Sequence, residues 1–204
     1  MGSSWQTIAK EKRGRTDLRI IAGCWGGRRI ASAPGSRPTS ERTREALFSI
    51  WAPRLSGVRF LDLFCGGGAI GLEAASRGAG FVGFVDQCEH ALAVVRSNCQ
   101  YLKLESFSLI GEVLPSGLAR RRLQAAESFD LVYADPPYAF QDYDGLLSRV
   151  THVLAEEGEI AVEHDTRTRL GLELEELTCI DRRNYGDSSL SFFRRRTGVR
   201  CPIR

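Results

Sequence analysis

The chain has 204 residues, of which 43% are hydrophobic and 26% are charged, and its formal net charge is +3. These values are typical of an ordinary globular protein with one main domain. No apolar run approaches the roughly 20 residues that span a bilayer, and the first six residues lack the apolar core of a signal peptide. We therefore expect a cytoplasmic protein with no membrane partner.

The cysteines and histidines argue against a metal site. None of the six cysteines forms a C-x-x-C pair, and the three histidines are not spaced as ligands. We expect reduced thiols, no disulfide framework and no metal.

The charge is unevenly distributed. Between Lys10 and Arg44 ten basic residues occur beside three acidic ones, whereas the rest of the chain is mildly acidic. This asymmetry predicts a polyanionic partner for the N-terminal region. We expect a basic, disordered arm over residues 1–17, an extension that contacts the polyanion over 18–54, the main domain over 55–197 and a tail over 198–204.

The extension is predicted to be a hairpin followed by a helix. Apolar residues around three glycines indicate a small hairpin over residues 18–30. Thr39 or Ser40 can cap a helix that ends before Pro53. The predicted inward face of this helix comprises Ala46, Leu47, Ile50 and Trp51, and the predicted polar face carries Arg42 and Arg44.

Strands and helices alternate through the main domain. Seven strands are predicted, over residues 58–64, 81–85, 107–110, 129–134, 159–163, 176–182 and 189–194. Four helices are predicted in this domain. One ends near residue 75, one spans residues 91–101, one contains residues 120–122 and one spans residues 143–154. The alternation indicates an α/β fold with a doubly wound, mostly parallel sheet. The last two strands would form a hairpin, which places one antiparallel strand in that sheet.

A glycine-rich loop follows the first strand of the main domain. Gly66, Gly68 and Gly71 satisfy G-x-G-x-x-G before a helix, and Asp86 ends the next strand, 20 residues after Gly66. This context is typical of sites for adenosine-containing cofactors, in which the acid accepts from ribose hydroxyls. NAD fits this pattern as well.

Further carboxylates favour a cationic cofactor over NAD. Asp62 lies just before the loop, where its charge suits an amino group better than a pyrophosphate. Glu112 follows the third strand, with Gly111 beside it, and could meet an adenine amino group. S-adenosylmethionine combines a sulfonium, an ammonium and an adenosine. Alternatively, some of these carboxylates are helix caps or solvated strand ends.

The segment Asp135-Pro136-Pro137-Tyr138 follows the fourth strand. Two prolines stiffen the backbone, so a carboxylate and a fixed carbonyl can accept both hydrogens of an amino group. Tyr138 offers a ring on which a base can stack. We expect such a site to work without a large pKa shift of Asp135. The alternative is a simple proline turn that leaves a buried strand.

The order of these motifs resembles class I S-adenosylmethionine-dependent methyltransferases that modify amino groups. The matching segments are Asp62-Leu63-Phe64-Cys65-Gly66-Gly67-Gly68, Asp86 and Asp135-Pro136-Pro137-Tyr138. The N-terminal region resembles the signature of the RsmD family in Arg19-Ile20-Ile21-Ala22-Gly23, Trp25, Gly27-Arg28, Arg37-Pro38-Thr39 and Arg44-Glu45-Ala46-Leu47-Phe48. The family more often has Ala, Ser and Asp where this chain has Cys65, Gly67 and Glu112.

The resemblance implies methyl transfer from S-adenosylmethionine to the exocyclic N2 of a guanine in 16S rRNA, of the guanine-966 type, within the small ribosomal subunit. The implied catalytic residues are Asp135, Pro136, Pro137 and Tyr138. The implied cofactor-binding residues are Asp62, Phe64, Gly66, Gly68, Asp86, Gly111, Glu112 and Asp135. The implied RNA-binding residues are Arg28, Arg29, Arg37, Thr39 and Arg42.

Other functions fit parts of the sequence. A DNA adenine or cytosine amino-methyltransferase fits the Asp-Pro-Pro-Tyr motif, although 204 residues leave no obvious target-recognition domain. An NAD-dependent oxidoreductase fits the glycine loop, and a non-catalytic RNA-binding module fits the basic region. For all of these we expect a monomer.

Overall fold

The computed structural model describes residues 18–33, 39–119 and 128–196. Its strands are β1 (Arg59–Leu63), β2 (Phe81–Asp86), β3 (Phe107–Gly111), β4 (Phe129–Ala134), β5 (Leu154–Asp165), β6 (Leu177–Tyr185) and β7 (Ser188–Arg195). Its α-helices are α1 (Glu41–Trp51), α2 (Ala69–Ser76), α3 (Glu89–Leu102) and α4 (Tyr143–Val150), and two short 3-10 helices span Ala52–Arg54 and Ser116–Ala119. No helix in these ranges combines the length and apolar character needed to cross a membrane.

The described strands form one sheet in the order β3-β2-β1-β4-β5-β7-β6. Neighbours from β3 to β5 are parallel, whereas β7 is antiparallel to both β5 and β6. This arrangement confirms the predicted doubly wound sheet with one antiparallel strand. The strand order reverses between β1 and β4, and in such sheets ligands bind outside the carboxyl ends of the strands at that point. The glycine loop follows β1 and the Asp135 segment follows β4.

The N-terminal hairpin also forms as predicted. Antiparallel hydrogen bonds join Ile20 N–H to Arg28 O at 2.9 Å and Gly27 N–H to Ile20 O at 2.8 Å. The hairpin packs against α2, because the buried Glu73 carboxylate accepts from Ile21 N–H at 2.7 Å and from Ala22 N–H at 3.0 Å. The hairpin and α1 therefore share a hydrophobic cluster with one face of the sheet.

Helix α1 begins where the sequence predicted, but the face that it buries against the protein core differs from the predicted one. The Ser40 hydroxyl caps it by accepting from Thr43 N–H at 3.0 Å. The prediction that Arg44 lies on a polar face is wrong, since its side chain is fully buried. The helix is oriented by Trp51, whose indole N–H donates to the buried Glu159 carboxylate at 2.6 Å. The buried residues of α1 are Thr43, Arg44, Leu47, Phe48 and Trp51.

The boundary between α4 and β5 also differs from the prediction. The helix ends at Val150 and β5 begins at Leu154, whereas the sequence indicated helix through residue 154 and strand from 159. The early start of β5 is fixed by tertiary contacts, because Leu154 pairs with Phe129 before a register shift in the ladder. Arg195 also donates to the Leu154 carbonyl at 3.3 Å. The predictions for residues 1–17, 120–122 and 198–204 lie outside the described residues.

Candidate active site

A cleft of about 800 Å³ lies where the sheet order reverses. Most of the residues predicted from the sequence to form a site line it: Thr39, Asp62, Phe64, Gly66, Asp86, Glu112, Asp135, Pro136, Pro137 and Tyr138. Gly68, Gly111, Arg28, Arg29 and Arg42 are described but do not line it. Arg37 lies outside the described residues.

The glycine loop turns tightly beneath the cleft. Phe64, Gly66 and Gly68 all have left-handed backbone conformations, with φ values of 57°, 50° and 78°. Gly68 is the N-cap of α2, and its N–H donates to Cys65 O at 2.7 Å. A Cβ at Gly71 would lie 2.3 Å from the Phe84 ring. Gly66 therefore faces the cleft, whereas Gly68 and Gly71 shape the turn and allow α2 to pack closely on the sheet.

Asp86 fastens the end of β2 to this loop. Its Oδ2 accepts from Gly66 N–H at 2.9 Å, and its Oδ1 accepts from Cys88 N–H at 2.8 Å. Each carboxylate oxygen has a second lone pair, so the side chain can still accept from a ribose hydroxyl in the cleft.

Asp62 lies deeper, and its side chain is almost completely buried. Its Oδ2 accepts from Gly71 N–H at 2.9 Å. Burial raises the pKa of Asp62 to about 8; the Gly71 hydrogen bond opposes this shift, and the charges of Asp135 and Asp86 add to it. A cationic group in the cleft would stabilise the carboxylate and lower this pKa.

Glu112 follows β3 and lies on the same side of the cleft as Asp86. Its N–H donates to Asp86 O at 3.2 Å, and its half-buried side chain lines the cleft. The chain packs closely here, since a Cβ at Gly117 would lie 2.6 Å from the Glu112 Cβ. Gly111 ends β3 and contributes backbone pairing with Asp86.

The Asp135 segment forms the opposite wall. Thr39 donates its hydroxyl to Asp135 Oδ2 at 3.1 Å. Burial raises the pKa of Asp135 to about 7, the nearby charge of Glu163 adds to the shift, and the Thr39 hydrogen bond opposes it. The shift is large because the carboxylate lies in this wall beside a second acid.

The two prolines have different surroundings. The Pro137 carbonyl accepts from Phe140 N–H at 2.8 Å, so this part of the segment is also a turn. Pro136 is buried in the cleft wall, whereas Tyr138 is 75% exposed at the rim. The segment is therefore a proline turn, and its residues also line the cleft.

Comparison with known proteins assigns the chain to a family. The sequence model of conserved hypothetical protein 95 matches residues 18–194. Ribosomal RNA small subunit methyltransferase D (RsmD) of Escherichia coli is 34% identical over 152 residues, which cover 74% of this chain and 73% of that protein. The chain belongs to the RsmD family. The Bacillus subtilis protein YlbH is 32% identical over 187 residues, covering 88% of this chain and all of YlbH.

Solved structures agree with this assignment. The Escherichia coli protein yhhF superposes with a TM-score of 0.77 at 27% identity, covering 88% of this chain and 98% of that one. This match confirms the methyltransferase fold expected from the sequence.

Two departures from the usual RsmD pattern have local explanations. Cys65 is buried beneath the loop, and burial raises the pKa of its thiol well above the ordinary value. It acts as a small apolar residue rather than as a nucleophile. At Gly67 a Cβ would lie 3.0 Å from the Ala33 nitrogen, so glycine lets residues 31–33 pack tightly on the loop.

Sequence reasoning missed a second carboxylate on the Asp135 side of the cleft. Glu163, on β5, lines the cleft and accepts from the Tyr133 hydroxyl and the Ser188 hydroxyl, both at 2.5 Å. No motif marks these residues, because they come from three different strands. The strand predicted over residues 159–163 included Glu163 but assigned it no role in the site.

Aromatic rings form a continuous wall between the two sides. The ring centroids of Phe64 and Phe140 are 5.4 Å apart, those of Phe140 and Tyr143 are 5.2 Å apart, and those of Tyr143 and His164 are 6.3 Å apart. His164 is buried, which lowers its pKa and favours the neutral ring. The wall offers planar apolar surface to a nucleobase.

The described arginines among those predicted to bind RNA do not line the cleft. Arg28 and Arg29 are exposed on the second strand of the hairpin, and Arg42 is exposed on α1. Thr39 differs from them because its hydroxyl contacts Asp135 inside the cleft. Among the described residues, no group of three or more His, Cys, Asp or Glu side chains is arranged to hold a metal ion.

Proposed function

We propose that this protein is a cytoplasmic, monomeric rRNA methyltransferase that transfers the methyl group of S-adenosylmethionine to the N2 of a guanine in 16S rRNA, of the guanine-966 type. The proposed substrate is the small ribosomal subunit or its precursor. Membership of the RsmD family supports this proposal. The observation that carries it is the meeting of two motifs in one cleft, the glycine loop after β1 and the Asp135 segment after β4.

The side of the cleft formed by the glycine loop suits this cofactor. Gly66 brings the backbone close to the cleft, and the carboxylates of Asp62, Asp86 and Glu112 supply acceptors for its ammonium, ribose and adenine groups. These acids also balance the positive charge of the sulfonium. The cofactor supplies an electrophilic methyl carbon, so the protein has no need to activate the donor.

The acceptor nitrogen is the more difficult partner, because its lone pair is delocalised into the guanine ring. The Asp135 carboxylate and the Pro136 carbonyl would accept the two amino hydrogens and orient the lone pair towards the methyl group. Such positioning can lower a barrier by about 7 to 11 kcal/mol in well-oriented systems. As the N–C bond forms, the S–C bond breaks and its electron pair stays on sulfur, giving S-adenosylhomocysteine.

The methylated nitrogen must then lose a proton. Asp135 is within reach of that proton in this arrangement, and its pKa of about 7 suits acceptance near neutral pH. Because of this pKa, the fraction of Asp135 that is ionised, and so able to accept a proton, rises as the pH increases through about 7.

The target base must leave its surroundings to reach the cleft. Tyr138 is exposed at the rim, where its ring can stack on the extruded guanine. Arg28, Arg29 and Arg42 would contact phosphates on the surface beside the cleft.

The test is nucleoside mass spectrometry after incubation with labelled S-adenosylmethionine. The substrates are small ribosomal subunits that lack the modification, naked 16S rRNA and duplex DNA. The proposal expects N2-methylguanosine from the subunits. Methyladenine or methylcytosine in the DNA would show that the substrate is DNA rather than rRNA. The absence of any methylated nucleoside from all three substrates would overturn the proposal.

A salt titration tests the proposed RNA contacts. Replacing both Arg28 and Arg29 with Ala should weaken RNA binding about 10-fold and reduce the slope of log affinity against log salt by about 2, since each phosphate contact contributes about 1. Arg183→Ala is the matched control, because Arg183 is an exposed arginine on the edge strand β6. An unchanged slope in the double variant would remove these two residues from the interface.

A further inference from the structure

Two carboxylates lie side by side on the base-binding side of the cleft. In the ladder between the parallel strands β4 and β5, Ala134 is the partner of Val162. The next residue after Ala134 is Asp135, just past the end of β4, and the next residue after Val162 is Glu163, on β5. Both line the cleft.

Glu163 is held in a fixed orientation. Its Oε2 accepts from the Tyr133 hydroxyl and its Oε1 accepts from the Ser188 hydroxyl, both at 2.5 Å. The side chain is buried against the sheet, with only 9% of the residue exposed. Each carboxylate oxygen has a second lone pair. The group is thus a rigid acceptor with unused capacity at the surface of the cleft.

Adjacent acids repel each other when both are ionised, and a ligand that donates hydrogen bonds to both would favour the ionised pair. The Watson–Crick edge of guanine carries two neighbouring donors, the N1–H and the N2 amino group. Adenine has a lone pair at N1 and cytosine has one at N3, so either base would face Glu163 with an acceptor. Among the common bases with an exocyclic amino group, guanine alone offers a donor to each of the two carboxylates.

We propose that Glu163 is a specificity-determining residue that accepts the N1–H of the target guanine, while Asp135 accepts from its N2 amino group. This inference rests on the proposed function and explains why the cleft selects guanine. Tyr133 and Ser188 act as positioning residues, because their hydroxyls hold the Glu163 carboxylate in one orientation.

The test compares guanosine with 2-aminopurine riboside at the target position. 2-Aminopurine keeps the N2 amino group, lacks O6 and has a lone pair instead of a hydrogen at N1, so the difference between the wild type and Glu163→Gln isolates the N1 contact. Small subunits are assembled from 16S rRNA ligated around a synthetic segment that carries either base. Single-turnover methyl transfer is then measured for the wild type and for Glu163→Gln.

The wild type should prefer guanosine by roughly 10- to 100-fold, the effect expected for one hydrogen bond to a charged group. Glu163→Gln should reduce this preference by about 10-fold or more, because the glutamine amide can donate to the N1 of 2-aminopurine. Glu156→Gln is the matched control, since Glu156 is an exposed glutamate on the same strand. It should keep the wild-type preference.

A purely structural role gives a different result. Equal losses on guanosine and 2-aminopurine in Glu163→Gln would overturn the inference while leaving the proposed function intact. Failure of the wild type to methylate guanosine subunits would overturn the proposed function itself. If Glu163→Gln does not fold, Ser188→Ala serves instead. It removes one orienting hydrogen bond and should lower the preference about 3-fold, and an unchanged preference would overturn the inference.

Discussion

The two sides of the cleft are built differently. On the loop side, formed by Asp62, Gly66 and Asp86, the carboxylates accept from backbone N–H groups that are 9 and 20 residues away in the sequence. On the base side, Asp135 accepts from Thr39, 96 residues away, and Glu163 accepts from a residue on another strand, 25 residues away. The loop side is therefore a local motif, whereas the base side requires the N-terminal extension and β7 to be in place.

The largest expected effect separates the chemistry of the base side from cofactor binding. Asp135→Ala should lower single-turnover methyl transfer by roughly 10²- to 10⁴-fold, because it removes the acceptor for the amino group and its proton. Affinity for S-adenosylhomocysteine, measured by calorimetry, should change less than about 3-fold. Asp144→Ala, at an exposed aspartate in the first turn of α4, is the control. Parallel losses of transfer and affinity would assign Asp135 to the cofactor instead.

The loop side should show the reverse pattern. Asp86→Ala removes the acceptor for Gly66 N–H and Cys88 N–H, so the loop loses its shape and the ribose loses a partner. The Kd for the cofactor should rise roughly 10- to 100-fold, as expected for hydrogen bonds to a charged group. Transfer at saturating cofactor should return to near the wild-type rate, and Glu89→Ala is an exposed control nearby. A rate defect that persists at saturation would contradict this division between the two sides.

A smaller effect tests the long-range contact from Thr39. Its hydroxyl holds the pKa of Asp135 below the value that burial alone would give. Activity requires the carboxylate, so the rate should rise with pH through about 7 in the wild type. In Thr39→Val this rise should move to higher pH, with about a 10-fold loss of rate at pH 6.5 and little loss at pH 9.

The pH profile of Thr39→Ser provides the control for that experiment, because serine keeps the hydroxyl. Its profile should match that of the wild type. Identical profiles for the valine variant and the wild type would show that the contact between Thr39 and Asp135 has no effect on catalysis.

The contrast between local and long-range contacts also explains what the sequence could predict. The glycine loop, Asp86 and the Asp135 segment were identifiable because each depends on short spacings and on the ends of regular strands. The buried face of α1 was not, since Trp51 orients the helix through a hydrogen bond to Glu159, 108 residues away. Glu163 was missed for the same reason. Its role depends on a strand register and on Ser188, neither of which leaves a periodic pattern.

The smallest expected effect concerns the stability of the loop side without cofactor. Because the pKa of Asp62 is raised to about 8 from an ordinary value near 3.8, the folded state favours the protonated form. Its contribution to stability is therefore fully present below about pH 4 and is lost as the pH rises through about 8. Asp62→Asn cannot ionise and keeps an acceptor for Gly71 N–H. Its melting temperature should exceed that of the wild type by roughly 5 °C at pH 9, with a smaller difference at pH 5.

Thermal unfolding across this pH range, with and without S-adenosylhomocysteine, distinguishes stability from binding at Asp62. The ligand ammonium should stabilise the carboxylate of the wild type, so the ligand should raise the melting temperature of the wild type more than that of Asp62→Asn. Asp144→Asn, at an exposed position, should follow the wild type under all conditions. A difference between Asp62→Asn and the wild type that stays constant from pH 5 to pH 9 would mean that Asp62 ionises normally. Asp62 would then be an ionised carboxylate at neutral pH even without ligand.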